Sequence, residues 1–271
     1  QDLLETNSED FLQDLIEHRP PQQMHPTVRI GLLRALCDPH LSFYNLLLGY
    51  ISPINSVFDT TLRDMQGLPG NEELHRSIVL NVIKNALDNY SIFSNLSYWH
   101  RDNARRSNRR SHRDPQGMSS DLTQSGRQKI LIPNNIQTCL RDNHGWVQEH
   151  FRQFSAALHR GFGRKIFTPL DPQVCNRDQR ESLNNLVLDS RNVTFRTSLS
   201  LSEWRHCRNC LEYNHQSLYI GAQCPSCFEE SMEELEGQQT HIDNHFSFHR
   251  QKIIDDLENE RDAKTIRAEE H

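Results

Sequence analysis

Two short cysteine pairs constrain this 271-residue chain more tightly than any other feature in it. They read Cys207-Arg-Asn-Cys210 and Cys224-Pro-Ser-Cys227, with thirteen residues between them. Two residues between cysteines let the backbone bend into a turn that aims both thiolates at one point. Two such turns supply four sulfurs, and a tetrahedron of thiolates suits zinc. Four protein ligands leave no open coordination position, so the expected metal is one structural zinc. The segment between the pairs holds Tyr213, Leu218, Tyr219, Ile220 and Gly221, enough for a short hairpin. Two disulfides are the first alternative and need an oxidising compartment. A redox-active pair is the second and sits at a helix start in a βαβ context.

Residues 204–228 resemble a zinc ribbon, as a generic module under a tenth of the chain long. The resemblance implies a metal held by Cys207, Cys210, Cys224 and Cys227. Phe228 stands where many zinc ribbons carry glycine. His206 and His215 lie near the pairs, but four cysteines need no further ligand. A module this small is expected to draw folding free energy from its metal. Cys37, Cys139 and Cys175 stay unassigned, and Cys37-Asp-Pro-His40 reads as core and turn.

Charge is strongly polarised along the chain. Residues 1–97 carry 6 basic and 12 acidic side chains, 98–165 carry 13 and 5, 166–227 carry 6 of each, and 228–271 carry 5 and 13. Such an order points to a partner surface, or to self-assembly between basic and acidic parts. Arginine accounts for 25 of the 30 basic residues. Its planar fork pairs with phosphate at two points and stacks on bases, although genome base composition can produce the same bias. The densest run is Arg101, Arg105, Arg106, Arg109, Arg110 and Arg113, preceded by Tyr98 and Trp99. Arginines beside aromatics suit phosphate contacts and base stacking, so this run, Trp99 included, is the candidate nucleic-acid-binding segment. Arg152, Arg160, Arg164 and Lys165 extend the candidate surface. A solvated loop, or one docked on acidic protein, is the alternative.

A secondary candidate is His241, His245 and His249, whose four-residue steps place three imidazoles along one helical face. That face suits a metal or a pH-sensitive interface, or simply flanks the apolar stripe of Ile242, Phe246, Ile253 and Leu257. Asn95-Leu-Ser97 and Asn192-Val-Thr194 match the glycosylation triplet, which is common by chance. Motifs for phosphate-binding loops, dinucleotide folds, nucleophile elbows and metalloproteases are absent. The reading is therefore non-enzymatic, with a cryptic nuclease as the residual alternative. The longest apolar run, Leu41 to Ile51, falls well short of the roughly 20 residues a membrane span needs.

The fold class expected from periodicity is mainly α. It comprises a helical body over 1–165, a small C-terminal β-containing zinc-ribbon-like module with four cysteine ligands, and a long acidic helix from about 228 to 265. The regions run 1–97 (acidic, helical), 98–130 (Arg-rich polar loop), 131–165 (helix and basic end), 166–228 (short strands and the four-cysteine module) and 229–271 (acidic helix). Helices are expected at 1–19, 27–37, 39–50, 54–66, 71–99 and 136–160, with Asn71 capping the fifth. Short strands are expected at 129–132, 186–188 and 193–195, the last two around a turn at Asp189-Ser190. Together these features predict a zinc-stabilised nucleic-acid-binding and assembly protein, such as a component of a viral or ribonucleoprotein particle. Its partners would be RNA or DNA and other protein chains, in a homo-oligomer or larger complex without a membrane, inside a reducing compartment such as cytoplasm or nucleus. A protein–protein adaptor is the alternative.

Overall fold

The computed structural model describes residues 42–89, 92–93, 118–119, 129–159, 165–169, 185–189 and 192–235, together with Arg250 and Ile254. Helix α1 (Asn55–Asp64) buries Val57, Phe58, Thr61 and Leu62. Helix α2 (Glu72–Asp88) starts as its sequence demands. The Asn71 side chain accepts from the Leu74 N–H at 2.9 Å, and Glu72 and Glu73 meet the positive end of the helix dipole. Its apolar positions Ile78, Val79, Val82, Ile83 and Ala86 are fully buried. The helix stops at Asp88, well before residue 99. Asn89 turns its side chain back on the Asn85 carbonyl at 2.8 Å, which offers the backbone a local alternative to another turn.

The helix expected at 136–160 is two helices, α3 (Asn134–His144) and α4 (Gln148–His159). Gly145 divides them in a left-handed conformation (φ 70), which a residue without Cβ adopts freely. Trp146 then enters the core and donates its indole N–H to the Pro69 carbonyl at 3.0 Å.

The mainly α expectation is overturned, because ten strands in three sheets accompany the four helices among the described residues. Strand β1 (Gly49–Pro53) pairs antiparallel with β7 (Val193–Thr197), setting Ile51 opposite Phe195. Strand β6 (Asn185–Asp189) centres a mixed sheet. It runs parallel to β2 (Ile92–Phe93) and antiparallel to β3 (Met118–Ser119) and β5 (Phe167–Pro169). Strand β4 (Lys129–Ile130) extends that sheet beside β3. The third sheet orders β10 (Met232–Glu234), β8 (Trp204–Cys207) and β9 (Tyr213–His215), all antiparallel.

Three local expectations change with the fold class. Residues 42–48 form a turn, with Leu47 at φ 56, and lead into β1, where a helix was expected over 39–50. A continuous apolar run does not distinguish helix from buried strand. Strands β6 and β7 belong to different sheets and form no hairpin. The acidic helix expected from 228 instead begins with β10, where pairing to β8 and complete burial of Leu235 against Leu47 and Trp204 override glutamate's helix preference. Further along, Arg250 and Ile254 are helical. The segments 1–19 and 27–37 lie outside the described residues.

One hydrophobic core joins all four helices to Met118, Phe167, Leu186, Leu188 and Phe195, and it includes Leu218 and Ile220 from between the cysteine pairs. The cysteine module therefore shares the core of the rest of the protein.

Candidate metal centre

Strand β8 carries Cys207 to the start of the first turn. The Leu211 N–H donates to the Cys207 carbonyl at 2.9 Å, and the Cys207 N–H donates to the Glu212 carbonyl at 2.9 Å. The second pair repeats the pattern. Phe228 donates to the Cys224 carbonyl at 2.8 Å, and Cys224 donates to the Glu229 carbonyl at 3.1 Å. In both turns the residue after the second cysteine is left-handed, Leu211 at φ 63 and Phe228 at φ 62. The backbone thus takes the glycine conformation without glycine, at a cost of about 1–2 kcal/mol each.

All four Sγ atoms lie within 4.8 Å of one another and could together hold a metal ion. Cys207 and Cys227 are 3.5 Å apart at sulfur, and Cys210 and Cys224 are 3.7 Å apart. A tetrahedral centre with metal–sulfur bonds of about 2.3 Å has sulfur–sulfur edges of about 3.8 Å. Burial opposes ionisation of Cys207, but the backbone N–H groups of Cys210 and Asn209 and the Ser231 hydroxyl outweigh it and lower the thiol to about 6. Burial pushes the Cys210 and Cys224 thiols up. The fold thus favours the Cys207 thiolate and opposes those of Cys210 and Cys224; four thiolates this close would need a cation among them.

The second turn is fastened to the helices. Asn81 donates to the Leu218 carbonyl at 2.7 Å, and Asn135 to the Ser226 carbonyl at 3.5 Å. Cys139 and Asn143 meet the Gln223 side chain at 3.2 and 3.1 Å. Cys139 is therefore a buried docking residue, its thiol pushed up by burial. Sequence reasoning missed this face, although Asn135, Cys139 and Asn143 follow the four-residue step of one helical side.

Neither nearby histidine joins the sulfurs. His206 stacks on Tyr213, with ring centroids 4.7 Å apart. His215 packs between Tyr50 and Trp204, accepts the Ser217 N–H at Nδ1 and meets Ser198 Oγ from Nε2 at 3.1 Å. Burial lowers it to about 4, against the opposing pull of Glu203.

The arginine run 101–113, Trp99, the His241, His245 and His249 face, Cys37, His40 and Cys175 lie outside the described residues, as do Arg160 and Arg164. Arg152 is exposed beside Glu149, and Lys165 is paired with Asp64. Asn192 is buried and donates to the Lys165 carbonyl at 2.6 Å, so its amide is not presented for glycosylation. Residues 204–235 carry two arginines against five glutamates. Both arginines are ion-paired, Arg205 with Glu234 and Arg208 with Glu233.

No protein-family model matches the chain, and no match was found among curated proteins or solved structures. Among the described residues, no helix is long and apolar enough to cross a membrane.

Proposed function

We propose that this chain is a non-catalytic, zinc-stabilised protein that binds nucleic acid through its arginine run as part of a larger assembly. The convergence of four cysteine sulfurs within 4.8 Å carries the metal half of this reading. Zinc is the ion that an all-thiolate tetrahedron suits, and four protein ligands make it structural. The arginine run beside Tyr98 and Trp99 supports the nucleic-acid half. The cysteine module is acidic and its arginines are paired, so in this reading it braces the fold while 98–113 contacts phosphate.

Elemental analysis of freshly purified, reduced protein should find one zinc per chain, lost when Cys207 and Cys224 become serine. Finding none overturns the metal half. Binding to labelled single- and double-stranded RNA and DNA across a salt series tests the other half. The expected slope is about 0.7–0.9 per phosphate contact, flattening when Arg105, Arg106, Arg109 and Arg110 become alanine. No binding at moderate salt turns the reading to protein docking, and metal-dependent cleavage overturns the non-catalytic assignment.

A further inference from the structure

Tyr44 sits in the turn before β1, far from the cysteines in sequence, yet its hydroxyl lies one side chain away from them. The His215 backbone N–H donates to Tyr44 Oη at 3.3 Å. That bond uses the oxygen as acceptor and leaves the phenol O–H to donate to Asn214 Oδ1 at 2.9 Å. With its oxygen on Tyr44, the Asn214 amide turns its NH2 to Cys224 Sγ, at 3.9 Å. A backbone donor, whose direction cannot reverse, thus fixes the sense of the whole chain. Asn214 is almost fully buried, and its own carbonyl accepts from the Tyr219 hydroxyl at 3.3 Å. Burial raises the Tyr44 phenol well above its usual range, so it remains a donor throughout the neutral range.

The two turns also match in their donors to sulfur. Cys207 receives the N–H groups of Asn209 and Cys210, and Cys224 those of Ser226 and Cys227. Each first cysteine then meets one side chain, Ser231 at Cys207 (3.4 Å) and Asn214 at Cys224. Ser231 belongs to the module. Asn214 owes its orientation to a residue 170 positions away.

Resting on the metal reading above, we infer that Tyr44 and Asn214 are positioning residues of the metal centre. Tyr44 holds the Asn214 amide as a donor to Cys224 Sγ, and the segment before β1 thereby sets metal affinity. Donors behind a ligand fix it and stabilise its charge, and losing one costs about 10–100-fold in affinity.

The test uses the full chain, with zinc affinity read by chelator competition and cobalt as a spectroscopic probe. Tyr44→Phe is expected to weaken zinc binding about tenfold and to shift the thiolate-to-cobalt charge-transfer band. Tyr219→Phe, which removes a donor to the Asn214 backbone and leaves the side chain directed by Tyr44, should leave that band unmoved. A Tyr44→Phe protein with unchanged affinity and band overturns the inference while leaving the metal reading intact. A wild-type chain that binds neither ion overturns both. Should Tyr44→Phe fail to fold, wild-type NMR decides: metal loading should move the Asn214 side-chain amide protons downfield, and unmoved protons overturn the inference.

Discussion

The first cysteine turn, Cys207 to Glu212, and the second, Cys224 to Glu229, make the same two backbone hydrogen bonds and place a bulky residue at the same left-handed position. They differ in what lies behind them. Phe228 packs against the main hydrophobic core, and α3 grips the second turn through Asn135 and through Gln223. Leu211 is 66% exposed, and the first turn is held by the β10–β8–β9 sheet. Equal local strain is thus offset by packing in one turn and left standing in the other. A metal held between them would join a turn anchored in the core to one anchored in a small sheet.

Removing the metal is the strongest way to separate the two. Chelation under reducing conditions should abolish amide exchange protection over 205–212 while much of it survives at 218–228, read by hydrogen-exchange mass spectrometry. Equal loss in both turns would break the comparison. Acid should act on the same side through His215, which packs on Trp204 of β8. Its folded value of about 4 lies below the unfolded value of about 6.5, so the unfolded chain takes up the proton first as pH falls. Stability should fall between these values, by about 2 kcal/mol at pH 5, in denaturation curves taken with excess metal. His215→Gln should remove that part of the slope. The smallest effects come from relieving the left-handed strain. Leu211→Gly should stabilise the metal-loaded protein by about 1 kcal/mol, having strain to lose and little packing. Phe228→Gly should destabilise it by about 1–2 kcal/mol, because lost core contact outweighs the relief. Effects of the same sign would erase the distinction.

The cysteine cluster was legible because its geometry is local: two-residue spacing is enough to bend each pair. The start of α2 was legible for the same reason, with Asn71, Glu72 and Glu73 acting within one turn. The break at Gly145 had a local signal as well, but an apolar stripe continues on both sides and hides it. What could not be read was pairing at a distance. The apolar run that enters β1 suits helix and strand alike until β7 pairs with it from Gly49 onward, and the glutamates of β10 favour helix until β8 pairs with them and Leu47 packs on the neighbouring Leu235. The contacts of Asn81 and Asn214 depend on which carbonyl or sulfur arrives beside them, and no spacing rule carries that information.

The link between Tyr44 and Asn214 also sets an order of events on the ribosome. The two residues are 170 positions apart, an interval that takes on the order of ten to thirty seconds to synthesise. For most of that time β1 has been made but its partner β7 has not, and the strand edge must be shielded by other means. A metal centre could mature only after its last cysteine has emerged, so a chain stalled between β7 and Cys227 has the partner of β1 but an incomplete set of thiols. Nascent chains of this protein are therefore open to strand mispairing until β7 is made, and to thiol oxidation until the cysteine module is complete.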